Sequence, residues 1–318
     1  MKTSHGSAAA ATAAALILFF TFASAAPAAA AAPKGKAYTT PEAAVEAFVG
    51  AVRGDDLQTL LAIFGDGSER IFVSEDPTAD RNQRQEFLRL YDEKHEIVSL
   101  DENMKILLAG ADAWPLPIPL VKTGTGWAFD TVVGLEEIIN RRVGRNELSA
   151  IQTCLAIADA QREYFRRDHD GDGILEYARK FRSTVGLRDG LYWHAPEGEP
   201  QSPVGELVAT ATQEGYGPAD TAYHGYRYKL LTSQSAAAPG GAYDYLAHDN
   251  LIGGFALLAY PAAYGDSGIM SFILSHSGVV YQKDLGENTA AEAQKMEAYN
   301  PDGWTKVTDQ DIRTIPEP

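Results

Sequence analysis

The sequence contains 318 residues, which is enough for one large domain or two domains of ordinary size. Hydrophobic residues make up 45% of the chain, so a real core can be buried and a wholly disordered protein is excluded. The formal net charge of −16 disfavours nucleic acid and anionic lipid as partners, because such a surface repels both.

The first residues have the pattern of an export signal. Lys2 and His5 precede an apolar run over residues 8–22, and the small residues at 23–25 form a cleavage site. We predict a signal peptide over residues 1–25 and a flexible linker over residues 26–38. The protein would then be periplasmic or secreted, with no membrane span after cleavage. The alternative is an uncleaved anchor, but the apolar run is short for a hydrocarbon core about 30 Å thick.

Three amphipathic helices are predicted next. Thr40 is a good N-cap and Pro41 suits the first helical position. The apolar stripe of this first helix has helical spacing and consists of Val45, Phe48, Val49 and Val52. Gly54 ends the helix, Asp56 can cap a second one, and a third helix is predicted over residues 82–93.

The pattern then changes to that of short strands. Strands are predicted within HEIVSL, MKILLAG, IPLVKT and GWAFDTV, and residues 122–127 are typical of a hairpin turn. Helices followed by an antiparallel meander predict an α+β fold. This opening resembles the NTF2-like, cystatin-like cone fold, in which a curved sheet wraps a long helix and leaves a pocket. The resemblance implies an NTF2-like domain over residues 39–143.

A second body is predicted beyond Gly144. A short helix over residues 135–142 and a longer one over 147–167 flank this glycine. Strands follow within YRYKLLTS, GFALLAYP, IMSFILSH and VVYQKDL. This layout resembles the globular part of type IV pilins and pseudopilins, which implies a pilin-like helix-plus-sheet domain over residues 144–290 and a tail over 291–318. The long helix lacks the apolar half through which pilins polymerise, so pilin-type assembly is not expected.

Cys154 is the single cysteine, so no intrachain disulfide can form. It has helical spacing with Ile151, Leu155 and Ala158. This pattern indicates a buried, small side chain rather than a nucleophile.

The most informative polar stretch is RRDHDGDGILEY, at residues 166–177. Asp168, Asp170 and Asp172 fall at positions 1, 3 and 5 of a calcium-binding loop, Gly173 supplies the turn, and Glu176 falls at position 9. Alternate carboxylates on a tight loop face one centre, and a hard cation offsets their mutual repulsion. We therefore predict a candidate Ca²⁺ site with Asp168, Asp170, Asp172 and Glu176 as ligands.

Two features argue against an EF-hand. Position 12 is Arg179, where a bidentate Glu is needed, and the sequence offers no partner loop. Some pseudopilins carry calcium in acidic loops, which agrees with the pilin resemblance. The alternative is an Asp- and Gly-rich turn that ends the helix without a metal, with Arg166, Arg167 and Arg179 as counter-charges.

Other signatures of catalysis are weak. GDSG at residues 265–268 resembles the nucleophile loop of chymotrypsin-like proteases, but no histidine has a triad context, and we prefer a turn around Ser267. No two histidines have the spacing of a zinc site. Aromatic side chains among Gly and Pro suit either carbohydrate or peptide binding or the filling of a curved sheet. They are Tyr192, Trp193, Tyr216, Tyr223, Tyr226 and Tyr228.

The chain as a whole resembles one family. The blocks CLAIADAQREYFRRDHDGDGILEYA, DGLYW, YHGYRYKLL and GFALLAYPAAYGDSGIMSFILSHSGVVYQKDLG are similar to the secreted bacterial proteins grouped as domain-of-unknown-function family 2950. The resemblance covers residues 40–290 and implies an exported bacterial protein, while it leaves the activity open.

Two functions fit these observations. The first is a non-enzymatic binding or assembly module of the bacterial cell envelope, with an envelope protein or a cell-wall ligand as its partner. The second is a hydrolase or isomerase with its site in the cone, where Asp92, His95 and Asp112 are the acid–base groups nearest the predicted sheet. We favour the first function, because the sequence shows export and acidity but no catalytic constellation.

Overall fold

The computed structural model describes residues 35–196, 198–217 and 222–308. These residues form seven helices and two larger antiparallel sheets, which confirms the predicted α+β class. The helices are α1 (Pro41–Arg53), α2 (Leu57–Phe64), α3 (Glu69–Phe72), α4 (Pro77–Glu93), α5 (Thr131–Tyr164), α6 (Gly205–Gln213) and α7 (Thr289–Lys295). The predicted signal peptide over residues 1–25 lies outside the described residues.

The N-terminal helices begin where capping side chains dictate. Thr40 accepts a hydrogen bond from the N–H of Ala43 at 3.1 Å, and Asp56 caps α2 in the same way through Thr59. Helix α4 begins five residues earlier than predicted, because Asp76 followed by Pro77 repeats the start signal used by α1.

The first sheet has five antiparallel strands in the order β1-β2-β4-β5, with β3 paired to β2. The strands are β1 (His95–Ser99), β2 (Met104–Ala109), β3 (Trp114–Pro115), β4 (Leu120–Thr123) and β5 (Gly126–Phe129). The predicted hairpin between β4 and β5 is confirmed, with Leu120 opposite Phe129. Apolar side chains from α1, α2 and this sheet share one core, in which the rings of Phe64 and Phe129 stack 4.6 Å apart.

The second sheet also has five antiparallel strands, in the order β14-β13-β12-β11-β6. They are β6 (Tyr226–Leu231), β11 (Ala256–Pro261), β12 (Met270–Ser275), β13 (Val280–Asp284) and β14 (Thr305–Lys306). Four two-residue strands lie in the long connection from β6 to β11. They are β7 (Ser233–Gln234), β8 (Tyr243–Asp244), β9 (Leu246–Ala247) and β10 (Asn250–Leu251). A second apolar core forms between this sheet and the C-terminal half of α5.

Helix α5 runs without interruption through the predicted helix break at Gly144. The prediction of two separate helices is therefore wrong. A glycine inside a helix costs only about 1 kcal/mol relative to alanine, and buried neighbours on both sides of it, Val143 and Asn146, hold this segment in the helix. One helix thus contributes Ile138 to the first core and Ile151 to the second. Because the two cores share this helix, the division of the chain into an NTF2-like and a pilin-like domain remains a prediction.

Segments assigned to a linker and a tail are bonded to the body where they are described. The backbone of Tyr38 pairs with that of Trp127 at 2.7 and 2.8 Å, so the end of the predicted linker joins the first sheet. In the predicted tail, β14 extends the second sheet through β13. No helix in the described part of the chain is long and apolar enough to cross a membrane.

Candidate metal centre in the acidic loop

The acidic loop begins just beyond the C-terminus of α5. Helix α5 ends at Tyr164, and the chain turns at Gly171 and Gly173, whose φ angles are +84° and +82°. Only glycine adopts such angles at little cost, so these two residues set the curvature of the loop. This curvature brings the preceding and following carboxylates to one side.

Three predicted ligands lie close together. One carboxylate oxygen from each of Asp168, Asp170 and Asp172 lies within 4.8 Å of those of the other two, and all three side chains are exposed. Among the described residues, these form the group of His, Cys, Asp and Glu side chains whose spacing suits a metal ion. Oxygen donors in this arrangement suit a hard cation such as Ca²⁺.

Backbone N–H groups within the loop fix the orientation of the carboxylates. Asp168 accepts hydrogen bonds from Gly171 at 2.7 Å and from Gly173 at 2.9 Å. These bonds lower the pKa of the Asp168 carboxyl below its ordinary value. The carboxylate therefore stays charged at lower pH, which favours a cation over a proton.

Glu176, the fourth predicted ligand, lies outside the group of three. It is half-buried and accepts a hydrogen bond from the N–H of Leu251 at 3.1 Å. Burial raises its pKa, and the charges of Asp170 and Asp172 raise it further. Its role as a ligand stays a prediction, because Glu176 is not among the carboxylates that lie within 4.8 Å of one another.

The loop is tied to the hairpin formed by β9 and β10. Asn250 donates a side-chain hydrogen bond to Asp172 at 2.9 Å, and Arg179 donates to the carbonyl of Asp249 at 2.8 Å. Arg179, which stands where an EF-hand has its Glu, thus serves as a tether between loop and hairpin. Sequence reasoning missed these contacts, since the partners are 78 and 70 positions apart along the chain.

A small cleft adjoins the loop. It has a volume of about 100 Å³, and its lining includes Asp168, His169 and Trp193. The His169 ring stacks on Tyr164 with centroids 4.0 Å apart. Burial lowers the pKa of His169, and the positive charge of Arg167 lowers it further, so this ring is neutral at pH 7.

Comparison with known proteins identifies the family. A family model described as "Protein of unknown function (DUF2950)" matches residues 35–307. The chain belongs to the DUF2950 family. No curated protein and no solved structure matched this DUF2950 chain.

The GDSG segment of this DUF2950 protein is a tight turn between β11 and β12. The Ser267 hydroxyl donates to the carbonyl of Ala263 at 3.1 Å and accepts from the N–H of Ala263 at 2.9 Å. Ser267 is only 1% exposed, and no histidine of the described residues is hydrogen-bonded to it. These contacts suit the turn that we preferred over a protease nucleophile.

Helix α5 holds this turn in place through side chains that sequence reasoning missed. Arg142, which is 4% exposed, donates to the carbonyls of Arg70 and Ile71 at 2.9 Å each and to Asp266 at 3.3 Å. One turn further along α5, Asn146 donates to the carbonyl of Ser267 at 2.9 Å. The GDSG segment therefore lies where α3, the long helix and the second sheet meet, and its Asp266 pairs with a buried guanidinium.

The acid–base groups proposed for a cone pocket lie at the surface. Asp92 forms an ion pair with Arg53, and both side chains are 53% exposed. His95 is exposed and stacks on Tyr91, and Asp112 is exposed in a turn. Apolar side chains, including three phenylalanines in mutual contact, occupy the core beneath the first sheet.

Most of the aromatic side chains considered for ligand binding have partners within the fold. Tyr216 donates to Asp76 at 2.7 Å, and Tyr226 donates to the carbonyl of Met270 at 2.8 Å. Trp193 donates to the carbonyl of Pro200 at 3.3 Å, and its ring also lines the cleft beside the acidic loop. It is the aromatic side chain in this set that is placed to contact a ligand there.

Proposed function

We propose that this DUF2950 protein is an exported, non-enzymatic binding or assembly module of the bacterial cell envelope whose acidic loop binds Ca²⁺. The observation that carries the metal part is the close approach of three exposed carboxylates on a loop anchored at Asp249 and Asn250. Calcium accepts flexible sets of six to eight oxygen ligands, so backbone carbonyls and water would complete the shell.

Several features support a binding role over an enzymatic one. The apolar filling of the first core and the surface positions of Asp92, His95 and Asp112 offer no enclosed acid–base pair for a hydrolase or isomerase. The turn around Ser267 holds its hydroxyl in local hydrogen bonds. An envelope protein or a cell-wall ligand is the proposed partner, and the export pattern of residues 1–25 supports a periplasmic or secreted location.

Calorimetric titration of metal-stripped protein tests the calcium site. We expect saturable heat and a rise in melting temperature, because a ligand at 100 times its Kd stabilises the folded state by about 2.7 kcal/mol. Asp170→Asn is the sharpest variant, since the backbone N–H that Asp170 accepts from among the described residues is that of Asp172, at a long 3.3 Å. Asp112→Asn removes an exposed carboxylate elsewhere and serves as the control.

The two parts of the proposal fail in different ways. Absence of both heat and thermal shift at millimolar calcium removes the metal site. A pull-down from the envelope fraction, run with and without calcium, tests the binding role. Export is tested separately, by cell fractionation and by the intact mass of the mature chain, which should begin after Ala25.

A further inference from the structure

Among the described residues, strand β6 lies at one edge of the second sheet. It pairs on one side with β11, with Lys229 opposite Leu258. The N–H of Ala262 donates to the carbonyl of Gly225 at 2.9 Å, which marks residue 225 as a hydrogen-bonded position of the ladder. Because antiparallel ladders alternate, the peptide groups of Tyr228 and Leu230 point away from β11, toward the open edge.

Both ends of this edge are closed by other segments. The peptide groups of Tyr226 pair with those of Tyr223 at 2.9 and 3.1 Å. At the other end, the carbonyl of Thr232 accepts from the N–H of Tyr245 at 2.9 Å, and the chain then turns away into β9. Between these closures, the backbone N–H and C=O of Tyr228 and Leu230 have no hydrogen-bond partner among the residues that the structure describes.

A groove opens where the chain after Tyr245 leaves the edge. It has a volume of about 350 Å³ and runs along residues 229–233 of the chain. Leu230 and Leu246 give it apolar walls, and the exposed carboxylates of Asp244 and Glu297 line it as well. The groove therefore combines free backbone groups, an apolar surface and negative charge.

Both charged residues of strand β6, Arg227 and Lys229, have partners within the fold. Natural proteins guard exposed edges with charged side chains, proline or bulges. The one charged residue of β6 beside the groove is Lys229, and its ammonium is turned away to donate to the carbonyls of Gln294 and Met296 at 2.9 and 2.8 Å. Strand addition at Leu230 would thus displace no ion pair.

We propose that the free edge of β6 binds an extended, basic polypeptide segment of a partner protein, which adds to the second sheet as a further strand. Backbone hydrogen bonds at Tyr228 and Leu230 supply affinity in this mode, and the leucine-lined groove takes alternate side chains. Asp244, Glu297 and the net charge of −16 select a basic sequence. This inference rests on the proposed binding role and is independent of the calcium site.

The probe is a capped hexapeptide of alternating Lys and Val, with a Glu/Val peptide of the same length as the comparison. Amide exchange is measured by NMR on the full chain at saturating peptide. We expect the amides of Tyr228 and Leu230 to exchange about tenfold more slowly, because both would gain hydrogen-bond partners. The Glu/Val peptide should bind at least about tenfold more weakly, given the charge of the groove.

Two variants separate edge binding from loss of fold. Leu230→Pro removes a backbone N–H that points away from β11, and an edge strand tolerates proline at such a position. The variant should therefore lose peptide binding while its thermal unfolding remains cooperative. The pair Asp244→Lys and Glu297→Lys should weaken binding of the Lys/Val peptide at low salt. Asp112→Lys with Glu136→Lys makes the same charge change at exposed positions outside the groove and should leave binding nearly unaltered.

Unchanged exchange at Tyr228 and Leu230, or equal binding of the two peptides, overturns the proposal. Self-association that is lost in Leu230→Pro also overturns it, since the edge would then pair with a second copy. If an envelope partner is captured by wild type and by Leu230→Pro alike, the binding role survives and this edge is the wrong surface.

Discussion

Replacing Arg142 by alanine tests whether the junction between the long helix and the GDSG turn holds the two sheets together. The guanidinium is buried and bridges the carbonyls of α3 to Asp266 of the turn. The side chains of Arg142 and Asp266 are 5% and 17% exposed, so water replaces little of what the substitution removes.

The expected loss follows from these contacts. Breaking a buried ion pair by removing one partner costs about 3–5 kcal/mol, because the remaining charge stays desolvated. Asp266 keeps a second partner, since the Nε of Arg70 lies 3.4 Å from its other oxygen, which places the loss near the lower limit. We therefore expect Arg142→Ala to lower the free energy of unfolding by about 3 kcal/mol. Arg142→Lys, which keeps the charge but not the planar fork, should lose less.

Urea unfolding followed by both circular dichroism and tryptophan fluorescence measures this change and shows whether the two transitions coincide. Arg141→Ala is the matched control. Its partner is Glu137 one turn away on the helix surface, and such a pair contributes only about 0.3–0.5 kcal/mol. A loss for Arg142→Ala below about 1 kcal/mol, close to that of the control, would refute the reasoning that the buried guanidinium joins the two halves.

Three further predictions concern the side chains of Glu147, Cys154 and Lys229. Burial raises the pKa of the Glu147 carboxyl, which accepts hydrogen bonds from the N–H groups of Ile269 and Met270. The stability that this carboxyl contributes in its protonated form is therefore lost as the pH rises through its pKa in the folded state. Glu147→Gln should therefore melt at a higher temperature than wild type near about pH 7 and match it below about pH 4, where the carboxyl is protonated; the reverse order would contradict the assignment. Burial also raises the pKa of Cys154, so a thiol reagent should label it only in denaturant, and rapid labelling in native buffer would show an exposed thiol. Lys229→Met removes a cation that donates hydrogen bonds to carbonyls at the C-terminal end of α7. The free energy of unfolding in urea should fall by about 1.5–3 kcal/mol. Faster amide exchange should be confined to α7, and faster exchange throughout the second sheet would contradict the prediction.

Local chemistry determined much of the secondary structure from the sequence. The Thr-Pro and Asp-Pro pairs of this chain each start a helix, because the side-chain oxygen and the fixed φ act on adjacent residues only. The Thr40 start was predicted for this reason, and the Asp76 start carried the same signal. The longer strands of both sheets were also predicted, since their apolar pattern depends on nothing outside the strand, whereas the two-residue strands β3 and β14 were not.

The tertiary structure alone decided how these elements are joined. Gly144 is a helix breaker by local preference, yet packing on both sides of it keeps α5 continuous. Strands β6 and β11 pair although four short strands lie between them in the chain. Nothing in the sequences of the strands indicates which strand is the partner of which. The position of β6 at the edge of the sheet, among the described residues, is a result of the same packing.

In the candidate metal site, too, the sequence predicted the local arrangement and the tertiary structure decided the distant contacts. The spacing of Asp168, Asp170 and Asp172 fixed their mutual approach, because a short loop with two left-handed glycines has few ways to fold. The bonds that anchor this loop, from Asn250 and to Asp249, join residues 78 and 70 positions apart. Such contacts form when the tertiary structure packs, because packing brings together residues that are distant in the sequence. No local pattern in the sequence predicts which distant residues will meet.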